Sequence, residues 1–166
     1  MEDYAFCERL YFESMGWIIA ALNLDETRQH ESFAAQWRLG EVRIITIGDE
    51  DVGWLQTASL EEAVSLKQLY VIGHRRRQGI GSNVIKALIE EATRLHGAIA
   101  LAVVKINPAR RLYERLGFRI THEDEHKIYM RRECNRAPSP WRSTQPEPSP
   151  EIRLESCVAT CYAAAL

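Results

Sequence analysis

Two glycines one residue apart, Gly79 and Gly81, follow three consecutive arginines, Arg75, Arg76 and Arg77, with Gln78 between. A helical apolar repeat begins at Ile80, so a strand hands over to a helix here. The first N–H groups of a helix lack internal partners, and its dipole adds partial positive charge. Glycine lets a ligand come close to those amides. Arginine adds full charges shaped for phosphate oxygens. The chemistry that fits is capture of an anion, most simply a phosphate or pyrophosphate. A tight turn with solvated arginines fits this stretch alone about as well, because a single GxG is a weak signal. The third glycine of a dinucleotide fingerprint is missing, and no Gly-Lys-Ser/Thr follows, which removes a nucleotide-triphosphate loop.

The elements that would position this loop are legible around it. Apolar residues recur at helical spacing over residues 3 to 22. Asp25 is the expected N-cap of a second helix running to about Arg38, with Gly40 as its stop. Residues 41 to 47, 52 to 58 and 64 to 72 read as three strands of an antiparallel meander. Ile80, Val84, Ile85, Leu88, Ile89, Ala92 and Leu95 form one stripe of a third helix, with Gly97 ending it. Residues 98 to 104 are continuously apolar, as a buried strand should be. Asn107 is the expected cap of a fourth helix with Pro108 at its first position and Gly117 after its end. "FRITH" and "HKIYMRR" around "EDE" predict a closing hairpin.

The working domain is therefore residues 1 to 132. Five of the six prolines fall between Pro138 and Pro150, and residues 133 to 166 are expected to form a disordered tail. The 166-residue chain has a net charge of −2, with 46% apolar and 27% charged residues. That is an ordinary globular composition, and it argues against a general nucleic-acid binder. No apolar run is long enough to span a membrane, and no signal peptide or metal-binding Cys/His spacing is evident. The expectation is a cytoplasmic protein with no metal and no membrane or nucleic-acid partner. Cys157 and Cys161 read as unpaired thiols on the tail.

A second motif, "NPARRLYERLGF" (residues 107 to 118), follows the buried strand. Together the two motifs resemble the GNAT superfamily of acyl-CoA N-acyltransferases, in which Arg/Gln-x-x-Gly-x-Gly/Ala follows a strand ending in valine. Here Val71 leads to Arg76, Arg77, Gln78, Gly79, Ile80 and Gly81, and Asn107, Tyr113, Gly117 and Phe118 match the later motif. The resemblance covers residues 1 to about 132. It implies an α+β (α/β/α) fold, with a mixed, mostly antiparallel central sheet and helices on both faces. It implies acetyl transfer from acetyl-CoA to an amine by direct attack. The amides of Arg77 to Ser82 would hold the pyrophosphate, with Arg76 alongside. Leu69, Tyr70 and Val71 would run beside the pantetheine arm, and an N–H near Val71 would stabilise the oxyanion. Asn107 would contact the cofactor, and Tyr113 would protonate the departing thiolate.

This chain departs from the family pattern in four places, two of them Gly73, where proline is common, and Asn107, one residue closer to Tyr113 than the commonest spacing. Arg77 stands where glycine is common. The family's first strand, ahead of the first helix, has no counterpart. Either the start is truncated or the sheet has lost an edge strand, which would expose the edge of residues 41 to 47.

The residues do not single out a general base. Glu61, Glu62 and His74 are candidates, each more readily read as a solvated surface group. Ala102 stands where members that acetylate ribosomal-protein N-termini carry a glutamate. Tyr11, Phe12, Met15, Trp17, Trp37 and Trp54 offer an aromatic wall for an acceptor, or ordinary core. The expected acceptor is a small-molecule or peptide amine, and a homodimer is an allowed state. The rival readings are a non-catalytic acyl-CoA-binding module and a nucleic-acid-associated protein using residues 74 to 77.

Overall fold

The computed structural model describes residues 2–95, 97–134 and 152–156. Two helices come first, α1 (Glu2–Ala21) and α2 (Glu26–Gln36). They lead into a meander of β1 (Val42–Ile47), β2 (Glu50–Ser59) and β3 (Ala63–Val71). Helix α3 (Ile80–Arg94) then crosses to β4 (Ala98–Val104). A short helix α4 (Arg110–Arg115) precedes the hairpin of β5 (Arg119–Glu123) and β6 (Lys127–Glu133). The last strand described is β7 (Ile152–Ser156). The sheet order is β5-β6-β4-β3-β2-β1-β7. Neighbours run antiparallel except β3 and β4, which are parallel because α3 returns the chain to the same end of the sheet.

Each face of the sheet has its own core, which is the layered arrangement expected. On one face the α3 stripe Ile80, Val84, Ile85, Leu88 and Ala92 packs on Ile45, Leu55, Leu66, Ile99 and Leu101. On the other, α1 and α2 bring Cys7, Leu10, Tyr11 and Phe33 against Val42, Ile44 and Trp54. This second core is aromatic. Phe33 stands edge-on to Trp54 at 6.0 Å between ring centroids, and Tyr11 edge-on to Tyr70 at 5.6 Å. Such pairs add about 1 kcal/mol each beyond the area they bury. Of the six residues expected at an aromatic wall, Tyr11 and Trp54 are core, and Trp37 packs on that core.

Local chemistry moves two helix ends from where periodicity puts them. Asp25 caps α2 as expected, accepting from the Arg28 N–H at 2.8 Å. However, α2 stops at Gln36, because Trp37 already has extended backbone, and Gly40 lies in a separate 3-10 turn. The Asn107 side chain accepts from the Ala109 N–H at 2.9 Å, so it holds a turn and the helix starts at Arg110 rather than Pro108.

The tail holds a further correction. Residues 152–156 fall where disorder is expected, yet they pair antiparallel along β1, from Arg43 opposite Ser156 to Ile47 opposite Ile152. The edge expected to be exposed is therefore covered from Arg43 to Ile47. Cys157 and Cys161 lie outside the described residues. No described helix is long and apolar enough to cross a membrane.

Candidate active site

The site begins where the sheet comes apart. β3 pairs with β4 only over Ala63, Val64, Ser65 and Leu66, opposite Ala98 to Leu101. Beyond that point β3 continues with β2, and β4 continues with β6. A register shift at Gln56/Thr57 leaves Lys67 as an extra residue in β3, the kind of bulge that sharpens twist. The Ile72 N–H donates to the Val52 carbonyl at 2.9 Å. In an antiparallel pair this sets the alternation, so the N–H and C=O of Leu69 and Val71 point away from β2 and into the cleft. Gly53, opposite Val71, keeps β2 close. A Cβ there would lie 2.2 Å from the Tyr70 carbonyl oxygen.

A cavity of about 680 Å³ occupies the divergence. One rim is the arginine–glycine loop. The Arg77 backbone has φ 64° and Gly79 has φ 84°, so the chain makes two left-handed steps before α3. The first i to i−4 bond of α3 is from the Asn83 N–H to the Gly79 carbonyl. The N–H groups of Ile80, Gly81 and Ser82 thus precede the helical ladder and stand at its positive end. A Cβ on Gly79 would meet open space.

The loop is braced from behind. Glu50 holds His74 at 3.1 Å and also pairs with Arg75, whose Nε lies 3.1 Å away. Arg75 first, and His74 next, hold the Glu50 carboxyl below its usual range. Gln78 Nε2 donates to the His74 carbonyl at 2.9 Å. Arg76 turns inward, donating to the Val71 carbonyl and to Ser14 Oγ, both at 2.7 Å. It ties α1 to the end of β3.

The opposite wall is α4 and the turn before it. Asn107, Pro108, Ala109, Arg111, Leu112, Tyr113 and Arg115 line the cavity from there. Tyr113 is 9% exposed, packed on Phe118 at 5.7 Å between ring centroids. Burial pushes its phenol up to about 12, so it is a protonated donor at neutral pH. Tyr70 leaves β3 on the α1 side and donates from its hydroxyl to Gln68 Oε1 at 2.7 Å. Burial pushes its phenol up as well, helped by Tyr11 and Tyr113 nearby.

The cavity brings together all the residues singled out in the sequence except Gln78: Leu69, Tyr70, Val71, Arg76, Arg77, Gly79, Ile80, Gly81, Ser82, Asn107 and Tyr113. Gln78 braces the loop instead. From the aromatic wall, Met15 and Trp17 reach the cavity, whereas Phe12 stacks on His30 at 3.8 Å. None of Glu61, Glu62 and His74 lines it. Sequence reasoning missed Ser14, Arg111 and Arg115. The two α4 arginines had a signal, their i,i+4 spacing, but which way that face turns is a tertiary fact.

Residues 38–120 match the acetyltransferase (GNAT) domain family, which is half of the chain and contains both rims of the cavity. The chain belongs to the GNAT acetyltransferase family. No curated protein matches it in sequence. The GNAT fold extends beyond the matched residues. The PaiA N-acetyltransferase of Thermoplasma acidophilum, solved in complex with coenzyme A, superposes with TM-score 0.66 at 15% identity, over 80% of this chain and 93% of that one. A putative GNAT acetyltransferase of Desulfovibrio desulfuricans gives 0.58 at 21%, over 80% and 93%. The ribosomal-protein-S18-alanine N-acetyltransferase of Escherichia coli gives 0.53 at 21%, over 68% and 81%. At these identities the likeness is one of fold.

Proposed function

We propose that this GNAT domain transfers the acetyl group of acetyl-CoA to a primary amine, by direct attack and without a covalent enzyme intermediate. One observation carries the reading: the splayed half of β3, the arginine–glycine loop at the start of α3 and a buried phenol line one cavity. The pyrophosphate would sit on the amides of Ile80, Gly81 and Ser82. The pantetheine arm would take the place of the missing strand partner, pairing with the backbone groups of Leu69 and the N–H of Val71, whose carbonyl already accepts from Arg76. The amine nitrogen attacks the thioester carbonyl carbon, the C–S bond breaks, and the thiolate of coenzyme A leaves.

A Val71 N–H aimed into the cleft is placed to receive the developing oxyanion. Tyr113 faces the leaving sulfur. A phenol near 12 gives up its proton reluctantly to a thiolate whose thiol ionises near 8.5, so its first contribution is a hydrogen bond to the growing charge. No carboxylate or imidazole lines the cavity among the described residues. The amine's proton therefore passes to water, and the rate should rise with pH as the free amine fraction grows. The acceptor is a small-molecule or peptide amine, met in the cytoplasm, and no nucleic acid takes part.

Calorimetric titration of acetyl-CoA into wild type and Gly79→Asp tests the cradle. The aspartate places bulk and like charge where the pyrophosphate sits, and binding should vanish in a folded variant. A screen of amines for coenzyme A release then separates an enzyme from a non-catalytic acyl-CoA-binding module. Turnover that falls in Tyr113→Phe supports the enzyme, and no turnover with any amine supports the module.

A further inference from the structure

The arginines around the cavity are not equivalent. Arg75 is committed to Glu50, and Arg76 to Ser14 and the Val71 carbonyl. Arg77, Arg111 and Arg115 also line the cavity, and none of the three has a side-chain partner among the described residues. Arg110 lies on the same helix, but it is spent on Glu114 at 2.7 Å and does not line the cavity. Three uncommitted guanidinium groups facing one cavity, with no carboxylate among the described residues on its walls, call for more negative charge than a pyrophosphate brings.

Their placement divides them. Arg77 belongs to the loop. Arg111 and Arg115 are four apart on α4, so they share a face. Leu112, next to Arg111 on α4, sits against the first turn of α3: a Cβ on Gly81 would lie 3.6 Å from Leu112 Cδ2. Both arginines line the same cavity as Ile80, Gly81 and Ser82, whose amides would take the pyrophosphate. Resting on the acetyl-CoA reading, we propose that Arg111 and Arg115 form a second anion subsite that holds a phosphomonoester, the 3′-phosphate on the ribose of coenzyme A. A phosphomonoester carries about −1.5 to −2 charge at pH 7 and three acceptor oxygens. Two guanidinium forks on one helix face match that charge and geometry.

The test is calorimetric titration of the full chain with coenzyme A and, separately, with 3′-dephospho-coenzyme A. Wild type should prefer coenzyme A by about tenfold or more, the worth of charge-assisted hydrogen bonds from one or two arginines. Arg111→Gln/Arg115→Gln should lose most of that preference, with its affinity for the dephospho form changed by less than about twofold. Arg110→Gln, which removes one positive charge from the same helix away from the cavity, should keep the wild-type ratio. Equal wild-type binding of both ligands overturns the subsite and leaves the cofactor reading standing. So does a preference that survives in the double variant, or a double variant that weakens both ligands alike. If folded wild type binds neither ligand, the cofactor reading falls and this proposal falls with it.

Discussion

Residues 63–66 and 67–71 are consecutive halves of β3, and they live in different surroundings. The first half is bonded on both sides, to β2 and β4, and buries Leu66 in the α3 core. The second is bonded on one side only and turns the backbone of Leu69 and Val71 into a cavity. The same strand is thus scaffold over its first four residues and an open edge over its last five, each stretch more than about 10 Å long at ~3.3 Å per residue. The site opens where a strand pairing ends.

Substitutions in the two halves should therefore fail differently. Leu66→Ala should cost about 3 kcal/mol of stability through the cavity it leaves, lowering the melting temperature by roughly 10 °C. The affinity of the folded fraction for acetyl-CoA should stay within twofold of wild type, and a large loss there would blur the distinction. Tyr113→Phe should do the opposite: kcat falls about a hundredfold while the acetyl-CoA Kd holds, measured by steady-state turnover and calorimetry.

The same variant has a pH signature. A phenol raised to about 12 in the folded state contributes stability that is complete below pH ~10, where the unfolded phenol ionises, and is lost as pH rises through 12. Tyr113→Phe should flatten that alkaline limb in chemical denaturation. Gly53→Ala should join both kinds of failure, costing about 2 kcal/mol and at least tenfold in acetyl-CoA affinity. Its new Cβ would press on the Tyr70 carbonyl and shift the splayed half. Arg77→Gly should have the smallest effect on stability and the reverse sign. Removing a side chain from a left-handed position at φ 64° relieves about 1 kcal/mol, while losing the cation weakens acetyl-CoA binding a few fold.

How much of this was legible follows the range of each cause. The α3 stripe and the strands of the meander show in local periodicity, and both motifs sit on the rims of one cavity. The early stop of α2 and the late start of α4 were hidden, because each depends on backbone geometry or a single side-chain bond that spacing does not encode. The splay itself has no local signature, since it depends on where α3 returns the chain to begin β4. The turn glutamates and His74 were plausible bases until the fold placed them away from the cavity. The strand at residues 152–156 could not be read, because its pairing partner lies at residues 42–47, far away in the sequence.

That last pairing has a consequence for how the chain is made. A ribosome delivers β1 long before β7, so the nascent domain can assemble β1 to β6 while one flank of the sheet still offers open backbone donors and acceptors. Until residue 156 emerges, any extended segment nearby can compete for that flank. In the interval between synthesis of the core and arrival of β7, that open flank is exposed to mispairing with another chain.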